Sequence, residues 1–279
     1  MSGRIAYFDC FSGASGDMLL GALLDAGLRL PELVADLAGL GPSGYELNLE
    51  RHVGHGISGS RFGVVQASAD RPARNLKVIE EILSHSSLAP EVIGMSRRVF
   101  VRLAEAEAAV HGTTVEEVHF HEVGAVDTLV DIVGFCCALK RLGLEAIYAS
   151  PLPLGRGTIK TEHGLLPVPA PATLALLAAA NAPIIPSEAR AELVTPTGAA
   201  ILSTLATFSQ PPMTIGRVGY GFGTKELPWA NVLRVWIGEP LGPQALQAHL
   251  GGVSEYSHTL EHDHPHEHPH DDVSAPHKD

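Results

Sequence analysis

The chain has 279 residues, with 31 acidic and 19 basic side chains, 15 histidines, three cysteines and a net charge of −12. That balance excludes a nucleic-acid partner, which needs a basic surface. Three cysteines, two of them adjacent at Cys136 and Cys137, exclude a disulfide framework and any C-x-x-C metal or redox pair.

At 45% apolar and 18% charged, the body has the composition to bury a core. Met1-Ser-Gly-Arg-Ile lacks the pattern of a signal peptide, so a reduced, cytoplasmic protein is expected. Ile5 to Asp9 reads as a buried first strand, and Phe11-Ser-Gly-Ala-Ser-Gly-Asp turns into a helix over Met18 to Ala26, closed by Gly27. Tyr45 to Leu49 and Ser60 to Ala67 alternate as two antiparallel strands joined by the Gly/His-rich link Arg51-His-Val-Gly-His-Gly-Ile. Amphipathic helices follow at Asn75 to Ser84 and Pro90 to Val110, then a capped turn at Thr114 and a helix over Val123 to Leu142. A strand is expected at Ala146 to Ser150, then a Pro/Gly-punctuated loop over 151–169 with one strand at Gly157 to Thr161. Gly164 to Ser187 carries no charge, yet its prolines leave only Ala172 to Ala182 uninterrupted, too short to cross a membrane. Helices near 172–180 and 197–207 and strands at Met213 to Val218 and Val232 to Ile237 complete an α/β or α+β body with a mixed sheet and interleaved helices. The expected division is a body over 1–238 of one or two subdomains, a linker over 239–257 and a disordered tail over 258–279.

Five short motifs can carry chemistry. In Asp9-Cys-Phe-Ser-Gly-Ala-Ser-Gly-Asp, small residues before a helix let amides approach an anion, making Ser12, Gly13, Ser15 and Gly16 candidate phosphate contacts and Asp17 a candidate catalytic carboxylate. A serine-capped glycine turn explains the same letters equally well. In His119-Phe-His-Glu-Val-Gly-Ala-Val-Asp, two imidazoles two residues apart, followed by Glu122 and Asp127 and then by Asp131 one turn on, suit a first-row metal or acid–base work. Glu122 and Asp127 are candidates for both roles. The loop Gly155-Arg-Gly-Thr-Ile-Lys offers Arg156 to a phosphate or carboxylate, though a solvated loop fits as well. Thr195-Pro-Thr-Gly is a second candidate cradle through Thr195, Thr197 and Gly198, with a plain helix N-cap slightly favoured. Gly219-Tyr-Gly-Phe-Gly-Thr-Lys fits either a flexible rim for a flat ligand or a bulge or hairpin.

Seven histidines lie between His258 and His277, interleaved with six acids and one lysine over 258–279, so this tail supplies −5 of the net charge. With almost nothing apolar to fold around, it reads as a metal-gathering segment in which His262, His264, His266, His268 and His270 bind late first-row ions such as nickel.

Taken in order, Tyr7-Phe-Asp-Cys-Phe-Ser-Gly-Ala-Ser-Gly-Asp-Met-Leu, His119-Phe-His-Glu-Val-Gly-Ala-Val-Asp, Pro153-Leu-Gly-Arg-Gly, Thr195-Pro-Thr-Gly and Gly219-Tyr-Gly-Phe-Gly-Thr-Lys closely resemble the LarC family of nickel-insertion proteins, across residues 4–238. The resemblance implies a cytoplasmic nickel chelatase, or cyclometallase, of the lyase class. It would insert Ni²⁺ into pyridinium-3,5-bisthiocarboxylic acid mononucleotide, forming nickel–carbon and nickel–sulfur bonds in the cofactor of lactate racemase. In the family the reaction uses CTP with Mn²⁺ or Mg²⁺ through a C-terminal domain, and the chain resembles the part before that domain. The implied partners are the mononucleotide, nickel, a separate C-terminal part and a second copy in a homo-oligomer, with no nucleic acid and no membrane. A nickel store or delivery chaperone is the alternative.

Overall fold

In the computed structural model, residues 3–42, 44–66, 74–118, 120 and 126–251 are described. β1 (Arg4–Asp9) has Ala6 and Phe8 fully buried and Ile5 and Tyr7 nearly so, as befits a strand covered on both faces. It leads into α1 (Gly16–Asp25) and α2 (Leu30–Leu37), which tightens into a 3-10 turn at Ala38–Leu40. A hairpin of β2 (Tyr45–Gly54) and β3 (Ile57–Gln66) follows, then α3 (Leu76–His85), α4 (Pro90–His111) and α5 (Val126–Leu142). The remaining elements of this unit are β4 (Leu144–Ala149), β5 (Leu152–Leu154), β6 (Gly157–Thr161), β7 (Gly164–Val168), α6 (Pro171–Ala179), β8 (Ile184–Pro186), α7 (Pro196–Leu205), β9 (Ala206–Thr207), β10 (Met213–Phe222) and β11 (Val232–Pro240). The unit ends at Leu241, and a second begins at Gly242 with α8 (Pro243–Gly251).

The main sheet has seven strands in the order β2-β3-β10-β11-β1-β4-β9. β1 runs antiparallel to β11 and parallel to β4, so the sheet is mixed as expected. β5 and β8 make a small parallel pair, and β6 and β7 an antiparallel one. α1 lies on β10 and β3, α5 packs on α1, α2 and α4, and α4 packs in turn on α6 and α7. Phe8 of the central strand meets Phe135 of α5 at 5.6 Å between ring centroids. Burying each such ring contributes about 1.5–3 kcal/mol.

Local chemistry accounts for the element boundaries. Asn75 caps α3 by accepting from the Val78 amide at 3.0 Å. Pro90 and Pro196 open α4 and α7, and α4 stops where Gly112 turns left-handed at φ 64°.

The structure refines the sequence reading at several stretches. The Gly/His-rich link is strand except at His55-Gly56, where positive φ values of 50° and 79° make a two-residue hairpin turn. The loop expected over 151–169 contains β5 and a second hairpin, β6–β7, because Pro167 sits in a two-stranded pair that is all edge. Gly219 to Phe222, read as a rim or as a bulge or hairpin, continues β10 in regular register with Val232 to Val235, the antiparallel pairing of the hairpin reading. α2 was not foreseen, although Pro31 in its first turn is a helix-start signal.

Candidate functional site

The two small-residue turns of the sequence meet in space. Ala14 and Val194 form a parallel bridge: the Ala14 amide donates to Leu193 O, and the Thr195 amide donates to Ala14 O, both at 3.0 Å. Gly13, at φ 108°, and Gly198 allow the contact, since a Cβ would lie 2.0 Å from Leu193 O on the first and 2.3 Å from Ala14 O on the second. The Gly13 amide is spent on Cys10 O and the Gly198 amide on the Thr195 hydroxyl. Ser12 is buried, and its hydroxyl accepts from the Trp229 indole at 2.9 Å. Ser15, Gly16, Thr195 and Thr197 face open space instead.

That space is a cavity of about 340 Å³ lined by Ser15, Gly16, Asp17, Gly63, Val64, Glu107, Asp127, Thr128, Asp131, Thr195, Pro196 and Thr197. Among the described residues four carboxylates line it and no basic side chain does. First-turn residues of α1, α5 and α7 all reach it, so helix N-termini supply the positive potential that partly offsets the acids. Gly16 lets Asp131 close in, because a Cβ there would lie 2.3 Å from Asp131 Oδ2. Burial pushes the Asp131 carboxyl well above the ordinary carboxylate range, and the neighbouring Asp17 and Asp127 push it further. Asp17 is also raised, mainly by burial, against the lowering effect of the Ser15 hydroxyl that donates to it and of the Met18 amide. Asp127 Oδ1 accepts from the Thr128 amide at 2.9 Å. Among the described residues no three His, Cys, Asp or Glu side chains are gathered closely enough to hold a metal ion.

A second hollow of about 270 Å³ shares Glu107 and Pro196 with this cavity. It is lined by His111 and His163, whose rings lie 4.8 Å apart, and His111 Nε2 is 3.5 Å from the Glu107 carboxylate.

A family model for nickel insertion proteins matches residues 6–270. The chain is 54% identical over 237 residues to a putative nickel insertion protein of Roseiflexus castenholzii and 56% identical over 237 residues to one of Thermomicrobium roseum; each match covers 85% of this chain, and 60% and 58% of those proteins. It is 49% identical over 238 residues to the pyridinium-3,5-bisthiocarboxylic acid mononucleotide nickel insertion protein of Desulfitobacterium hafniense, covering 85% of this chain and 58% of that protein. The chain belongs to the nickel insertion protein family. It spans about 60% of the length of these curated relatives. No solved structure matches it significantly.

For this member of the nickel insertion family, the fold gathers Ser15, Gly16, Asp17, Asp127, Thr195 and Thr197 around one cavity and leaves Arg156 elsewhere. Arg156 is exposed beside Glu188, with which it pairs, and is not part of the cavity lining. His119, His121, Glu122 and the tail histidines from His262 to His270 lie outside the described residues. Phe120 is fully buried and joins the core through its amide, which donates to Arg74 O at 3.0 Å. Glu107 was not singled out from the sequence. It sits about one turn before the C-terminal end of a charged helix, and the packing of α4 against α7 brings it to the cavity. Burial pushes the Cys10, Cys136 and Cys137 thiols up to about 12, which favours their protonated form.

Proposed function

We propose that the chain takes part in nickel insertion into pyridinium-3,5-bisthiocarboxylic acid mononucleotide, a cyclometallation in the lyase class. The observation that carries the reading is the cavity joining Asp17, Asp127 and Asp131, which no basic side chain among the described residues lines. Such a site attracts a divalent cation, here the substrate metal Ni²⁺, and its burial strengthens the attraction. Asp127, with His119, His121 and Glu122 just before it in the chain, supplies nitrogen and oxygen donors suited to nickel. The two thiocarboxylate sulfurs donate to nickel, and the nickel–carbon bond replaces the pyridinium C4–H bond. The C4 proton must pass to a base. Asp17 or Asp131, whose raised pKa favours holding a proton, takes it. The hydroxyls of Ser15, Thr195 and Thr197 hydrogen-bond polar groups of the substrate. CTP with Mn²⁺ or Mg²⁺ is assigned to the part of the relatives that this chain does not span.

The test joins the chain to the remaining part of a relative and follows cofactor formation by absorbance with nickel, the mononucleotide and Mn-CTP. Asp127→Asn and the His119→Ala, His121→Ala double variant are expected to lower the rate by at least 100-fold. Insertion at the parent rate by either would remove the metal assignment.

A further inference from the structure

The main sheet ends in two unlike edges. β9 at one side has two residues, whereas β2 at the other has ten, Tyr45–Gly54, and pairs with β3 alone. Beside the turn of this hairpin, Arg61, Lys225, His52 and His55 line a hollow of about 540 Å³. Along its length β2 offers backbone instead. The two-residue turn at His55-Gly56 makes Gly54 and Ile57 a hydrogen-bonded pair. Alternation along the ladder then turns the amides and carbonyls of Tyr45, Leu47, Leu49, Arg51 and Val53 away from β3, and none of them has a hydrogen-bond partner among the described residues.

A long edge is a template for another strand, and proteins guard such edges with lysine, proline or a bulge. β2 contains no lysine and no proline, and its register with β3 is unbroken from Tyr45 to Gly54. One face of the strand carries Tyr45, Leu47 and Leu49, half-buried on the core, and Arg51, which pairs with Asp25. The other carries Glu46, Asn48, Glu50 and His52. These charges decide which strand the edge can accept. If β2 meets a second β2 antiparallel about Leu49, all five outward residues of each strand pair: Leu49 with Leu49, Leu47 with Arg51 and Tyr45 with Val53. Glu46 then stands opposite His52, and Asn48 opposite Glu50. His52 Nε2 accepts from Arg61 at 3.2 Å, which leaves its Nδ1–H to donate to that carboxylate. Each Glu50 already accepts from Arg61 of its own chain at 3.1 Å. Centring the pair on Asn48 sets Glu46 against Glu50, and centring it on Glu50 sets that residue against itself; like charges directly opposite are destabilising.

We propose that β2 is a dimerisation edge, to which a second copy of this chain adds its own β2, antiparallel and in register about Leu49. The register that saturates the edge is also the one that sets compatible side chains across it, so the surface is self-complementary, as a two-fold interface must be. The edge at β9 is too short to receive β2, so the association closes at two copies and does not run on as a filament. Backbone bonds supply the attraction, while the Glu46–His52 and Asn48–Glu50 pairs fix the alignment, as in strand addition generally. The proposal stands independently of the nickel-insertion reading.

The experiment is sedimentation velocity of the full chain across the micromolar range, in chelator so that no metal bridges the histidines of 258–279. A monomer–dimer equilibrium is expected. Asn48 is exposed, so both of its substitutions leave the fold intact. Asn48→Glu sets a carboxylate opposite Glu50 of the second copy and should raise the dimer dissociation constant tenfold or more. Asn48→Lys sets an ammonium there and should lower it. In a pairing centred on Asn48 both variants would bring like charges together, so effects of opposite sign report the register. Val53→Pro removes an exposed amide that points away from β3, and it should weaken the dimer at least fivefold while circular dichroism shows the monomer's fold unchanged. A chain that stays monomeric throughout, assemblies larger than a dimer, weakening by both Asn48 variants, or a dimer indifferent to all three substitutions would each overturn the assignment.

Discussion

Asp131 sits where three effects add. It is largely screened from water, it faces Asp17 and Asp127, and no cation among the described residues lines its cavity. Its folded-state pKa therefore lies above its unfolded value, so between the two the native state holds the extra proton and stability falls as pH rises. Removing the charge removes that loss. Asp131→Asn should melt higher than the parent at neutral pH in chelator, by about 2–4 °C for each kcal/mol recovered, and the gap should close as pH falls into the ordinary carboxylate range. Parallel thermal melts from pH 4 to 8 measure it; a gap that is constant or widens toward acid would refute the assignment. Binding a divalent ion requires the ionised carboxylate, so nickel should reverse the order at neutral pH. Part of this cluster is legible in the sequence, because Asp127 and Asp131 stand one helical turn apart. Asp17 could be named but not placed, since only the bridge between the Ala14 and Val194 turns fixes what faces it.

At the scale of elements, the contact between α1 and β10 decides whether Asp17 is held in place. Gly219 and Gly221 lie two residues apart on one face of β10, where they meet Met18, Ala22 and Ala26, four apart on one face of α1. A Cβ on Gly221 would lie 1.9 Å from Met18 O, and one on Gly219 would lie 2.1 Å from Ala22 O. These atoms are backbone, so no side chain can swing aside. Asp25 locks the end of the same helix, accepting from the Tyr220 amide at 2.9 Å and the Ser60 hydroxyl at 3.2 Å and pairing with Arg51. Gly221→Ala should cost about 3 kcal/mol or more by overpacking. Gly94→Ala, on the exposed face of α4 with nothing within 4 Å, should stabilise by about 1 kcal/mol. Denaturant melts of the two variants check the pair, and a Gly221→Ala chain as stable as the parent would show that α1 can lift without loss. The alternating glycines were visible as a motif, but their purpose was not, because a strand's glycine pattern does not say which helix will cross it. Periodicity likewise outlined β1, α1, α4 and α7 well, and missed β5, β8 and β7, whose short proline-containing runs show no alternation.

For the whole molecule, the net charge of −12 divides into parts with different duties. Carboxylates line one cavity and cations with histidines line another, so the two attract ions of opposite sign. The segment 258–279 adds −5 and seven histidines of its own. If this tail gathers nickel for the cavity, it raises the local nickel concentration by tethering and leaves the chemical step unchanged. Deleting 258–279 should then leave the insertion rate within twofold when nickel is saturating and lower it at least tenfold when a competing chelator holds free nickel scarce. A chain that serves as a store would behave otherwise: the deletion would abolish nickel retention in equilibrium dialysis, and no excess of nickel would restore its action. Measuring insertion against free nickel for both lengths separates the two, since tethering shifts the nickel concentration at half-maximal rate and leaves the plateau in place, whereas loss of a store lowers the plateau itself.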